Sequence, residues 1–160
     1  MSQLSDYTSF RVGGPAQEIV NASNETEIIE AVQAADEAGK PILILGSGTN
    51  VLVSDEGFKG VVIHVSSAEV EAEVDACSGA TLTIGAGEVW DSFVVTTIAR
   101  GYAGLETLSG IPGTMGAAPI QNIGAYGHEV SEFITRVRTY DRKEKIVKTF
   151  TNAECDFTYR

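Results

Sequence analysis

The sequence predicts an α+β protein built of two lobes, and three observations carry that prediction. A capped amphipathic helix runs into an unbroken apolar strand within the first 65 residues. Beyond residue 65 the pattern switches to strict apolar/polar alternation, the signature of antiparallel strands with one wet face. Between the second helix and a final hairpin lies Gly101–Gly127, with seven glycines and two prolines. A structureless stretch of that length in a compact domain usually wraps a ligand or carries function.

The first lobe is placed at residues 1–65. Asn24 caps a helix over 24–39 and Glu27 completes a capping box. Ile28, Ile29, Val32 and Ala35 share one face, and Gly39, Lys40 and Pro41 form the stop. Ile42–Leu45 then suits a strand buried on both faces. It ends at Gly46-Ser47-Gly48-Thr49-Asn50. Val51–Val53 and Val61–Val65 read as two further strands around the turn Asp55-Glu56-Gly57.

The second lobe is placed at residues 66–160. In Glu69–Asp75 the acids are odd-numbered and the apolar residues even-numbered, and Thr81–Ile84 keeps the same period. Trp90–Arg100 reads as a helix with Phe93, Val94, Thr97 and Ile98 on one side. Arg136–Tyr140 and Lys145–Phe150 alternate across Asp141-Arg142-Lys143-Glu144, a hairpin.

Composition bounds the function. The chain has 160 residues, 43% hydrophobic and 21% charged, which supports a packed core and disfavours disorder or coiled coil. Eleven basic against 22 acidic residues give a net charge of −11, so nucleic acid and anionic membrane are not expected partners. The charge is uneven: residues 136–160 hold seven basic residues against four acids, a local +3 that leaves the first 135 residues at −14. That positive end could meet an anionic substrate, although solvated strand faces account for most such clusters. Cys77 and Cys155 are too few and too far apart for a disulfide framework or zinc site. With no signal-peptide pattern and no membrane-length apolar run, a soluble, cytoplasmic protein with reduced thiols is expected.

Two glycine-rich turns carry the candidate chemistry. The 46–50 turn follows a buried strand directly, and such a turn can aim several backbone N–H groups at a phosphate. It is neither a P-loop nor a Rossmann fingerprint, and an ordinary strand-end turn is the plainer alternative. Ser109–Gly127 offers a second set of amides, with Gln121 and Asn122 able to donate and accept at a heterocycle edge. A glycine hinge whose amides satisfy each other is the alternative there. Two such turns on two lobes favour a long ligand bearing both phosphate and rings, as a dinucleotide does. The remaining candidates read as structural. His64 is a satisfied core histidine, His128 a loop residue, and Cys155 a small buried apolar residue. Trp90, Phe93 and Phe133 belong to a core, and Ser47 and Ser109 lack an adjacent base. No metal is implied.

Taken together, Thr8-Ser9-Phe10-Arg11-Val12-Gly13-Gly14-Pro15, the GSGTN turn, LSGIPGTMGAAPIQNIGAYG and the ending Glu154–Arg160 resemble the UDP-N-acetylenolpyruvoylglucosamine reductase (MurB) family of peptidoglycan synthesis. The PIQNIGAYG wording is nearer its type I branch. The resemblance implies the FAD-binding, vanillyl-alcohol-oxidase-like (PCMH) fold, with FAD between two lobes, truncated at its C-terminal end. It implies NADPH as hydride donor, a UDP-sugar enolpyruvyl ether as substrate and UDP-N-acetylmuramate as product. By position, Gly46, Ser47, Gly48, Thr49 and Asn50 would hold the FAD diphosphate. Ile111, Pro112, Gly113, Thr114, Gly116, Ala117, Gln121, Asn122, Gly124, Ala125 and Tyr126 would line the flavin and the rest of the cofactor. Arg160 matches the catalytic arginine that pairs with the substrate carboxylate, a guanidinium facing developing negative charge. No residue matches the family's proton-donating serine or catalytic glutamate, and the substrate-binding domain has no counterpart. The isolated chain is therefore expected to lack reductase activity. Another PCMH-type flavin oxidoreductase and a non-catalytic cofactor-binding module are the competing readings.

Overall fold

The computed structural model describes residues 2–75 and 79–159. A short 3-10 turn at Leu4–Tyr7 precedes β1 (Ala16–Ala22), which the sequence pattern did not announce. There follow α1 (Glu25–Glu37), β2 (Ile42–Leu45) and β3 (Phe58–Val65). These three strands form one parallel sheet in the order β1-β3-β2.

The helix forms much as its residues dictate. The Glu27 amide donates to Asn24 Oδ1 at 2.9 Å, closing the N-terminus. The Glu27 carboxylate accepts from Ser23 N and Oγ, one residue outside the anticipated capping box. Gly39 takes the left-handed conformation (φ +62°), and Lys40 N donates back to Ala35 O, ending the helix. Val32 and Ala35 pack with Ala22, Val61, Ile63 and Val65 beneath α1. Val62 points the other way, into Leu4, Ala16 and Leu45.

The strand with buried residues on both faces is thus β3, at the sheet centre, rather than β2. β2 is an edge, and its Ile44 is 54% exposed, which corrects the double-sided burial expected of Ile42–Leu45. Val51–Val53 forms no strand either. Next to it, Ser54 O accepts from Gly14 N, while Val51 and Val53 pack towards the Leu4 cluster, so this stretch serves the Gly13–Gly14 loop instead of a sheet ladder.

In the second part of the chain, β4 (Val70–Asp75) and β5 (Gly79–Ile84) pair antiparallel. The alternation of β4 is real, but its second face is not covered: Val70 and Val74 are both exposed. α2 (Trp90–Ala99) buries Trp90, Phe93, Val94 and Thr97, whereas Ile98 faces solvent, contrary to its expected place on the packed side. A short α3 (Ala118–Gln121), the two-residue strands β6 (Gly124–Ala125) and β7 (His128–Glu129), and the hairpin β8 (Arg136–Asp141) and β9 (Ile146–Thr151) complete the fold. Trp90, Val94, Leu108, Ala118 and Val130 make the core here, and Phe133 packs against it. Among the described residues no helix is long and apolar enough to cross a membrane.

The β8–β9 hairpin docks on α1. Arg138 donates to both carboxylate oxygens of Glu25, at 2.6 and 2.8 Å, and Gln33 Nε2 donates to the Tyr140 hydroxyl at 2.8 Å. Arg142 pairs with Asp36, and Lys145 lies 3.9 Å from Glu37. Much of the basic cluster is therefore spent on the acidic helix of its own chain, not held for an anionic substrate.

Candidate functional site

The 46–50 turn leaves the carboxyl end of β2, the place where parallel α/β sheets collect ligands. Its path is set by backbone. Ser9 N donates to Gly48 O at 3.1 Å, anchoring the turn to the N-terminal segment. Gly48 has φ +65°, and a Cβ there would enter the Tyr7 carbonyl, so only glycine fits.

Opposite this turn stands residues 111–117. A Cβ on Gly46 would lie 2.5 Å from Thr114 Oγ1, and one on Gly113 would lie 3.9 Å from Thr49 Oγ1. The two glycine-rich segments, 64 positions apart from Gly46 to Gly110, thus face each other across a narrow seam. The second segment is pinned from behind. Trp90 N donates to Gly113 O at 3.1 Å, Met115 N to Glu88 O at 2.9 Å, and Gly116 N to Ala86 O at 2.8 Å. Its entrance is held by Asp91, whose Oδ1 accepts from Ser109 Oγ at 2.9 Å and Gly110 N at 2.6 Å. Those two bonds lower the Asp91 pKa below the usual carboxylate range, the Gly110 amide contributing most.

The seam's electrostatics come from peptide groups. Neither 46–50 nor 109–127 contains a charged residue. Among the described residues, the amides of Ser47, Gly48, Thr49, Asn50, Gly113 and Thr114 donate to no acceptor of the chain. Unspent N–H groups in a glycine-rich turn suit an anion without requiring a lysine or arginine. Thr114 is buried against Gly46, and Ala117 caps the short helix beginning at Ala118. Ile111 is half-buried and Pro112 exposed at the near end.

Further along, the two carboxamides part ways. Gln121 is exposed, as is Tyr126, which takes φ +54° beyond the half-buried Gly124 and Ala125. Asn122 is buried with φ +44°, and its side chain is committed inside the protein. Its Nδ2 donates to Glu129 Oε2 at 2.6 Å and to Thr158 O at 3.1 Å, while Oδ1 accepts from Ser131 N at 3.2 Å. This carboxamide is not available to read a ring edge.

Arg160 and Cys77 lie outside the described residues. His64 is half-buried rather than central; its Nδ1 sits 3.0 Å from Asn21 Oδ1 and its ring stands edge-on to Tyr7. His128 pairs with Glu132 at the surface. Cys155 is half-buried, less enclosed than expected. Among the described residues no group of three or more His, Cys, Asp or Glu side chains could hold a metal. Sequence reasoning missed the support that Ser9, Ala86, Glu88 and Asp91 give the two turns. Of these, only Ser9 fell within a quoted motif; backbone partners leave little trace in residue type.

The chain is similar to known proteins along nearly its whole length. The "FAD binding domain" family matches residues 16–149. UDP-N-acetylenolpyruvoylglucosamine reductase of Cutibacterium acnes is 51% identical over 98% of this chain and 42% of its own length. That of Streptomyces coelicolor is 44% identical over 98% of this chain and 40% of its own. The chain therefore spans less than half the length of these curated relatives. The crystal structure of UDP-N-acetylenolpyruvylglucosamine reductase (MurB) from Thermus caldophilus superposes with a TM-score of 0.77 at 28% identity, covering 99% of this chain and 54% of that one. A solvent-stable cholesterol oxidase shares the fold at a TM-score of 0.63 and 16% identity, over 91% of this chain and 32% of that one. On the strength of the family match across most of its length, the chain belongs to the FAD-binding domain family.

Proposed function

We propose that this chain is the FAD-binding portion of an NADPH-dependent reductase that converts UDP-N-acetylglucosamine-enolpyruvate to UDP-N-acetylmuramate in peptidoglycan synthesis, in the cytoplasm. Its two lobes are taken as residues 1–65 and 66–160. One observation supports the reading above the others: two uncharged glycine-rich turns, distant in sequence, oppose each other, and the amides of Ser47, Gly48, Thr49, Asn50, Gly113 and Thr114 there have no acceptor among the described residues.

The 46–50 turn would hold the FAD diphosphate by backbone donors and by the hydroxyls of Ser47 and Thr49. Ile111, Pro112, Gly113, Thr114, Gly116 and Ala117 would line the cofactor with close backbone approach. Gln121, Gly124, Ala125 and Tyr126 would border the flavin, and Asn122 would contribute there through its backbone. When bound, FAD supplies a hydride relay from NADPH to the enolpyruvyl double bond. Arg160 would face the substrate carboxylate, where a fixed guanidinium contributes several kcal/mol, on the order of 3, to the stabilisation of developing negative charge.

The test is the visible absorption spectrum of the purified chain before and after soaking with FAD and desalting. A retained flavin band is the expected result for a complete cofactor seam. A colourless protein would show that these residues alone do not hold FAD. The chain by itself is expected to oxidise no NADPH in response to the enolpyruvyl substrate, and turnover would overturn that expectation.

A further inference from the structure

We infer that Asn122 is a positioning residue that fixes the Phe157–Tyr159 tail against the flavin-facing 121–126 segment. The inference rests on the proposed function only in giving the tail its purpose, since Thr158 stands two residues before Arg160. The bond from Asn122 Nδ2 to Thr158 O spans 36 positions in sequence. It joins the end of the glycine-rich segment to chain that follows the β8–β9 hairpin.

Several features make this bond a purposeful clamp. Asn122 adopts the left-handed conformation, which asparagine tolerates better than most side chains. That turn aims its carboxamide inwards, where all three polar contacts are satisfied: Glu129 on β7, Ser131 N on the following turn, and Thr158 O. Glu129 is itself held. Its side chain accepts from Glu132 N, and its amide donates to Glu132 Oε1 at 2.9 Å. The tail has less support of its own. Among the described residues the amides of Phe157, Thr158 and Tyr159 donate to no acceptor, and Thr158 and Tyr159 are exposed. Asn152 anchors the start of this stretch, donating to Ser131 O at 2.7 Å and Ile134 O at 2.8 Å. Asn122 is the next tie, six residues later. Two residues of chain reach only about 7 Å, so fixing Thr158 confines the following position to a small volume.

Two substitutions separate positioning of the tail from general support of the fold. Asn122→Gly keeps the left-handed backbone at little cost and removes the side chain. Asn122→Asp places a second carboxylate against Glu129, so its stability should rise from pH 8 to pH 5 relative to the wild type. The charged side chains beside this pair are Glu132 and His128, and the wild type keeps both together with Glu129, so the difference between the two proteins isolates the added carboxylate. Adding Glu129→Gln to Asn122→Asp restores the bond between positions 122 and 129 with donor and acceptor exchanged. It leaves Thr158 O without its donor.

The experiment is backbone ¹⁵N relaxation on the 160-residue chain, with thermal melting alongside. In the wild type, order parameters at 157–159 should be near those of the rigid core, about 0.8, and fall below about 0.6 in Asn122→Gly. In the exchanged pair, the melting temperature should recover towards wild type while the tail stays disordered. A tail that remains ordered in either variant overturns the inference. Should neither variant fold, the wild type decides alone: a disordered tail, or Asn122 Nδ2 protons that exchange rapidly with water, overturns it. FAD titration of the wild type is read separately. Failure to bind would sink the proposed function and leave the tail measurement standing.

Discussion

The α1–hairpin contact and the seam between 46–50 and 111–117 both join chain segments far apart in sequence, with opposite materials. The first is made of charged side chains at the surface: Arg138 on Glu25, Arg142 on Asp36, Lys145 near Glu37. The second is made of backbone, and a Cβ on Gly46, Gly48 or Gly116 would strike a neighbour. Long, solvated side chains adjust to a change at modest cost, and exposed ion pairs contribute little. A backbone cradle has no such slack. The hairpin contact should therefore tolerate substitution, and the seam should not.

The largest effect is expected at Gly48. Gly48→Ala adds a Cβ to a residue at φ +65° and drives it into the Tyr7 carbonyl. We expect a loss on the order of 3 kcal/mol in chemical denaturation, together with loss of any bound flavin. Unchanged stability would show that the turn can move away from the N-terminal segment.

Gly46→Ala comes next, at about 2 kcal/mol, because the clash is with a side-chain oxygen, that of Thr114. Combining it with Thr114→Ala should recover part of the loss, with a coupling of at least about 0.5 kcal/mol. Strict additivity would mean that the two turns do not meet there.

The hairpin should respond least. Arg138→Ala is expected to shift the denaturation midpoint least of the three, and less still in high salt, and charge reversal should be rescued by the exchange Glu25→Arg with Arg138→Glu. A cost like that of Gly48→Ala would erase the contrast between the two regions.

Acid should act on the hairpin through its depressed carboxylates. Lys148, then the Glu144 and Lys143 amides, hold the Asp141 pKa down at about 2, below its ordinary value of 3.8. A carboxyl depressed in the folded state contributes stability above its unfolded pKa and loses it as pH falls through the folded one. Denaturation midpoints should thus decline between pH 4 and about 2, and Asp141→Asn should flatten part of that decline. Glu25 and Asp36, lowered mainly by their bonds from Arg138 and Arg142, act in the same direction.

Legibility followed the same division between side chain and backbone. The α1 cap and stop, α2 and the β8–β9 hairpin were readable because they rest on periodicity and local hydrogen bonds. β1 was not, since Ala16–Ala22 lacks a clean period and becomes a strand by pairing with β3. The two glycine-rich turns were visible as composition, and one ligand shared between them was expected; the contact of Gly46 with Thr114 was not legible, because nothing local to either residue encodes it.

What the amino-acid sequence determined by itself was a set of local preferences: a capped helix, alternating strands, a charge asymmetry, and glycines marking where the backbone must turn tightly. Tertiary structure decided three further things. It chose β3 rather than β2 as the strand buried on both faces, because strand order in a sheet is a matter of long-range pairing. It spent much of the basic cluster on α1, because Coulomb attraction depends on distance in space and not in sequence. It committed the Asn122 carboxamide to Glu129, Ser131 and Thr158 while leaving the turn amides of 46–50 unspent. Which polar group is satisfied and which is left for a ligand is settled only once all of its neighbours are in place.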